Sequence, residues 1–453
     1  MNSFESKLHA AGMSARESAA KGMLLEKLTR RLREMRGGAD EHTCAFFVPG
    51  RIEVLGKHTD YAGGRSIVCA MERGICLVAD ARADAQVRLL DWERKSEARV
   101  ALDAEEKTAR GDWSEYAAVL ARRFSRDFPG ARIGADIVFA SDLPRAAGMS
   151  SSSALIIAIF MALAEANSLA QSESYRAHIR SREDLAGYLA AVESGAEFAA
   201  FSGGRGVGTL GGSEDHVAIL CSRAGFLKQY SYSPVKLERE IPAPKDFTFV
   251  IGSSGVKADK TGNALLAYNR TSLAARKILN LWRSATGRSD GSLADALLAN
   301  VDALERLRRI VSESRDSEFS SEFLLKRFDQ FVEESIAVVP AAAESFARMD
   351  LMAIGALVDR SQFLAEKMLC NQTMETIELA RSARALGAAA ASAFGAGFGG
   401  SVWALVSTSD AEEFRDQWAG CYREKFPERV DASKFFITGA GPGLTQMEVA
   451  SSA

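Results

Sequence analysis

Five histidines and six cysteines are all that 453 residues offer for soft metal coordination or disulfide bonding. Neither type is clustered: no C-x-x-C pair, no H-E-x-x-H and no His/Cys group occurs, which argues against a zinc ribbon, a disulfide scaffold and a transition-metal centre. Cys44, Cys69, Cys76, Cys221, Cys370 and Cys421 fall mostly in apolar runs and read as reduced core thiols. Long hydrophobic runs are lacking too. Nothing reaches the length of a membrane span, and MNSFESKLHAAGMSARESAAKG at the start holds no apolar signal core, so a cytoplasmic location is expected. Positive charge is not in excess: 56 Lys and Arg stand against 59 Asp and Glu, a net charge of −3, so no global field holds nucleic acid or an anionic membrane. Any anionic ligand needs a local site. The motif G-x-x-x-x-G-K-[ST] is absent, which excludes a P-loop, and no fixed-period repeat is visible.

What is present is an ordinary folded composition, 47% apolar and 25% charged. Leu24, Leu25, Leu28 and Leu32 recur at helical spacing and predict an amphipathic helix over roughly 14–35. From Cys44 to Leu90 short β-branched runs between glycine turns predict strands, followed by a helix in DWSEYAAVLARRF, a strand in ARIGADIVFA and a helix in ALIIAIFMALAEAN. HVAILCSRAGFLKQYSY and FTFVIGSSG read as strands, with a boundary at the Pro-bearing EIPAPKD near residue 242. Long helices follow, including one over 293–312, and then an alanine-rich helix, the strand SVWALVST, a helix over 410–425 and the strand KFFITGA. The expectation is an α+β chain in two lobes: a helical extension over 1–43, a first lobe over 44–242 and a second over 243–453.

Three segments carry chemistry. In LPRAAGMSSSSALII a loop opens an apolar helix with Ser150, Ser151, Ser152 and Ser153, and free N–H groups, a helix dipole and small hydroxyls make a cradle for phosphate; the plainer reading is a serine N-cap. AFGAGFGGSVWALV contains G-x-G-x-x-G at Gly395, Gly397 and Gly400, but a strand follows the glycines where a dinucleotide fold needs a helix. That order points to a close backbone approach, to a ligand or to another loop. In PGRIEVLGKHTDYAGG, Arg51, Lys57, His58, Asp60 and Tyr61 crowd one strand and turn, a density of donors and acceptors that suits a polyhydroxylated ligand.

Taken in order, PGRIEVLGKHTDYAGG, LPRAAGMSSSSAL and GAGFGGSVWAL resemble the three motifs of the GHMP small-molecule kinases, and the first resembles the signature of the galactokinase family. The similarity extends from about Ala45 to Ala440 through intermediate segments such as GGSEDHVAIL and RSQFLAEKMLCNQTMETIELA. It implies a two-lobed GHMP kinase fold, with an S5-like N-terminal lobe and a ferredoxin-like C-terminal lobe with extra helices, and a site between them. It implies a monomeric, ATP- and Mg²⁺-dependent kinase for the anomeric hydroxyl of galactose or a related hexose. A uronic-acid 1-kinase and a non-catalytic galactose and ATP sensor are the alternatives.

Residue by residue, the resemblance makes Asp215 the catalytic aspartate, which takes the proton of the sugar's C1 hydroxyl or orients that hydroxyl, Arg51 its partner, and Gly212, His58, Asp60 and Tyr268 sugar contacts. Gly148 and Ser150 to Ser153 take the phosphates, Trp113 and Tyr116 line the adenine pocket, and Mg²⁺ falls to Ser151 with Glu193 or, four residues on, Glu197. Four departures stand out. Lys57 replaces an acid expected near the sugar's C6 hydroxyl and would favour a C6 carboxylate, Ser153 replaces a small apolar residue, Glu53 replaces an asparagine, and Ser392 replaces an arginine shortly before the last glycine loop.

Overall fold

The computed structural model describes residues 2–37, 43–102, 113–258 and 262–449. Its strands are β1 (Cys44–Leu55), β2 (Arg65–Arg82), β3 (Gln86–Asp91), β4 (Ser96–Ala101), β5 (Gly134–Ser141), β6 (Phe226–Ser231), β7 (Lys236–Pro242), β8 (Phe247–Ser253), β9 (Ala390–Phe394), β10 (Ser401–Ser407), β11 (Lys434–Thr438) and β12 (Thr445–Glu448). Eight of them form one sheet in the order β12-β1-β2-β5-β3-β4, with β6 also paired to β2 and β7 to β6. The other four form an antiparallel sheet ordered β11-β8-β10-β9. With helices between β8 and β9 and between β10 and β11, this is the β-α-β-β-α-β arrangement of a ferredoxin-like unit, and the first connection carries the extra helices.

Side-chain alternation makes β1 the spine. All twelve of its residues are buried, because both faces of the sheet are covered. Phe46 and Val48 join a core under the helices Ser114–Asp127, Ser151–Ala166 and Arg182–Ser194, whereas Ala45 and Phe47 meet Leu25, Leu28 and Leu32 of the helix Ala15–Arg36 on the opposite face. Further along, Ile52 and Val54 pack with Ile251 and Trp403 of the second sheet. The two sheets therefore share one strand's worth of core. The functional turn follows directly from β1.

Several local expectations are corrected. HVAIL lies in a helix, Glu214–Cys221, because a short apolar run does not by itself separate a buried helix from a strand. The alanine run at 390–394 is strand β9, packed between β10 and the helix Met374–Ala385, so the glycine loop joins two strands. The helix expected over 293–312 is two, Leu293–Leu297 and Ala303–Ser312, and a short helix, Ser3–Ala10, precedes the amphipathic one. No described helix is long and apolar enough to cross a membrane.

Candidate active site

The sheets and the helical connection enclose a cleft of about 1290 Å³. The strand β1 delivers Arg51 to its wall, where the residue is 4% exposed and its guanidinium donates through Nε to Asp215 Oδ1 at 2.8 Å and through Nη1 to the Gly148 carbonyl at 2.5 Å. Burial opposes the guanidinium charge, and Asp215, Glu53 and Glu214 more than restore it. One side chain thus ties the acid to the loop that precedes the serines. Asp215 itself sits in the first turn of the helix Glu214–Cys221, where the dipole favours a carboxylate.

The turn after β1 is built from within. Asp60 Oδ1 accepts from the Tyr61 N–H and Oδ2 from the Glu214 N–H at 3.2 Å, so Asp60 caps the helix that bears Asp215 from another part of the chain. Gly212 must be glycine, since a Cβ there would run into the Asp60 carboxylate. His58 Nε2 faces the Ala396 carbonyl and its Nδ1 faces the Tyr61 hydroxyl, each at 3.0 Å. A carbonyl only accepts, so Nε2 carries the proton, and burial holds the ring neutral with its pKa lowered to about 4. The His58 and Tyr268 rings lie 5.4 Å apart in the cleft wall.

Opposite, the helix Ser151–Ala166 begins without a cap. Ser150, the residue at the cap position, has φ +58 and no side-chain capping bond, and its buried hydroxyl has no hydrogen-bond partner among the described residues. The plain N-cap reading therefore fails, and the helix opens onto the cleft with its N–H groups available to an anion. Ser151, Ser152 and Ser153 line the same cleft, as do Trp113 and Tyr116, with Trp113 tilted against Phe139 at 5.8 Å. Ser153 Oγ donates to Glu193 Oε2 at 2.8 Å, and the same oxygen lies 3.2 Å from His216 Nε2. Glu193 faces the cleft; Glu197 lies beyond the end of the helix Arg182–Ser194, exposed and outside the cleft wall. The two glutamates do not share a helical face.

The third motif supports this loop. Gly395, Gly397 and Gly400 have φ of +82, +79 and +89, Ser401 Oγ donates to the Ala147 carbonyl at 2.7 Å, and a Cβ at Gly395 would lie 2.8 Å from the Gly148 carbonyl. The close approach is backbone to backbone. It seats the serine loop against the second sheet.

Lys57 is where the structure departs most from the sequence reading. It is 1% exposed, lies outside the cleft wall and donates through Nζ to Ser361 Oγ at 2.9 Å. Ser361 Oγ in turn donates to Glu334 Oε1 at 2.8 Å, and that carboxylate also accepts from the Gly56 N–H at 2.8 Å. Gln330 donates to the Lys57 carbonyl and Arg327 to those of His58 and Thr271. Arg327, Gln330 and Glu334, spaced i, i+3 and i+7, form a polar stripe that clamps the turn. Charged residues on a core-facing stripe were the sequence signal for it, but nothing in the spacing named their target. Glu214 was missed as well; burial, together with Glu53 and Asp60, holds its carboxyl well above the usual range.

The chain is similar to known proteins over most of its length. The galactose-binding signature of galactokinases matches residues 33–81, and the GHMP kinase N-terminal and C-terminal profiles match 115–205 and 342–424. The galactokinase of Roseiflexus sp. (strain RS-1) is 27% identical over 388 residues, 83% of this chain and 86% of that protein. The galactokinase of Lacticaseibacillus casei is 25% identical over 426 residues, 93% of this chain and 98% of its own. In fold, Lactococcus lactis galactokinase complexed with galactose superposes with a TM-score of 0.76 at 23% identity, over 93% of this chain and 99% of that one.

Proposed function

Because the chain belongs to the galactokinase family of the GHMP kinases, phosphotransferases with an alcohol acceptor, we propose that it moves the γ-phosphoryl group of ATP to the anomeric hydroxyl of galactose or a closely related neutral hexose. The observation that carries this reading is the Arg51–Asp215 pair facing the uncapped start of the helix Ser151–Ala166 across one cleft. Phosphates bind at the serine loop, and Trp113 and Tyr116 take the adenine. The sugar lies against Asp215, His58, Asp60 and Tyr268. Arg51 favours the ionised form of Asp215, which accepts the proton of the C1 hydroxyl as its oxygen bonds to the γ-phosphorus. The bond from that phosphorus to the β–γ bridging oxygen breaks, leaving ADP and a sugar 1-phosphate.

Magnesium fits the residues present. Among the described residues no cluster of three or more His, Cys, Asp or Glu could hold a metal unaided, and Mg²⁺ is commonly held by one or two carboxylates with substrate phosphates. In this reading Glu193 and Ser151 would hold the ion, which would offset phosphate charge. A neutral sugar is preferred to a uronic acid because the cation that would meet a C6 carboxylate, Lys57, is engaged by Ser361.

The test is ATP turnover over a sugar panel with the position of the new phosphate read by NMR. Phosphate on C1 is expected; phosphate on C6 would displace Asp215 from its role. Asp215→Asn should lower kcat by about 10²- to 10⁴-fold while nucleotide affinity holds, since the amide keeps the shape without accepting the proton. Near-normal turnover in that variant would assign the base elsewhere.

A further inference from the structure

Two positions beyond Arg51, on the same side of β1, the strand carries an acid. Glu53 is 4% exposed and belongs to the cleft wall that holds Arg51, His58, Asp60 and Asp215. Its Oε2 accepts from the Gly395 N–H at 3.3 Å, and its Oε1 is buried with no hydrogen-bond partner among the described residues. A carboxyl oxygen left unpaired in a protein wall is costly, and a ligand that brings a donor relieves the cost.

The chemistry of that ligand is narrow. Phosphate oxygens carry negative charge and accept only, so they do not suit this position beside Asp215. An uncharged O–H group donates one hydrogen bond and adds no charge. The neighbouring guanidinium is already committed to Asp215 and the Gly148 carbonyl, and Lys57 reaches away to Ser361. Glu53 Oε1 is thus an open acceptor in the part of the wall that also holds Asp215. Resting on the function proposed above, we propose that Glu53 is a specificity-determining residue of the sugar subsite, its Oε1 accepting the hydrogen of one hydroxyl of the bound hexose.

Burial also pushes the Glu53 carboxyl up to about 7, against the pull of Arg51 and Lys57. Near neutrality it is therefore able to donate as well as accept. That property matches a hydroxyl, which does both.

The experiment compares galactose with its 2-, 3-, 4- and 6-deoxy forms in the full-length wild type, Glu53→Ala and Glu53→Gln, measuring kcat/KM for each sugar with thermal melting as a check on folding. A site built to hold a hydroxyl rejects the analogue lacking it. One deoxy sugar is expected to suffer about a tenfold loss or more in the wild type, shrinking below about threefold in Glu53→Ala while the other penalties hold. Parallel penalty profiles in wild type and Glu53→Ala would overturn the assignment and leave Glu53 a structural acid. Glu53→Gln keeps the packing and decides the matter if the alanine variant does not fold: the same sugar's penalty must then shift by about threefold, and an unchanged profile overturns the proposal. Absence of turnover with every sugar in the wild type would instead overturn the underlying reading, and the Glu53 assignment with it.

Discussion

A lysine ammonium sealed from solvent must find its partners inside the protein, and Lys57 finds Ser361 and, through it, Glu334. Gly56 at φ +112 and His58 at φ +59 bracket it, and this pair of left-handed residues turns the side chain inward. Neither angle is legible in a motif, so charge reversal at position 57 suggested an acidic substrate that the geometry does not favour. The pairing of Arg51 with Asp215 was legible only through the family resemblance, since Asp215 by itself reads as an exposed loop acid and in fact stands in the first turn of a helix. Lys57→Met is expected to destabilise by about 1–3 kcal/mol through the orphaned Ser361 and Glu334 network, read as a lowered melting temperature. The ratio of galactose to galacturonate turnover should stay put. A change of about tenfold in that ratio would put the ammonium at the sugar after all.

At the scale of elements, what held were most of the long periodic helices and the β-branched runs, where pattern and propensity agree; the helix expected over 293–312 is broken in two. What failed were short pieces with conflicting signals. Alanine favours helix, yet Ala390, Ala391 and Ala393 are buried in strand β9, paired with β10. The glycines beyond that strand carry a sharper expectation. At Gly397 the backbone is left-handed and a Cβ would collide with the Asn371 carbonyl, whose oxygen also accepts from the Phe398 N–H. Gly397→Ala should cost about 1–3 kcal/mol in chemical denaturation. Wild-type stability there would mean that the loop relaxes freely and does not brace the serine loop.

At the scale of the molecule, the helix Ala15–Arg36 is a wall of the core. Leu25, Leu28 and Leu32 are buried against Phe47, Val78, Val138 and Met447, and Lys21, nearly sealed, pairs with Glu17 and Asp142. Each leucine contributes about 1.5–3 kcal/mol by burial. Removing residues 2–36 should therefore give an unstable or aggregating chain, measured by soluble yield and melting, and not a stable kinase with altered kcat. A soluble truncation with normal melting would make the segment an accessory.

The sheet closes late. Cys44 pairs with Glu448, so the outer neighbour of β1 is a strand made some four hundred residues after it. During synthesis that flank of β1 waits, with open N–H and C=O groups and apolar side chains, while the whole ferredoxin-like unit is being made. The nascent chain consequently passes through a stage in which the strand that carries Arg51 is an unprotected edge. A ribosome stalled shortly before residue 445 would leave Cys44 to Phe47 without their outer partner and open to pairing with another copy, until Thr445 to Glu448 emerge to cover them.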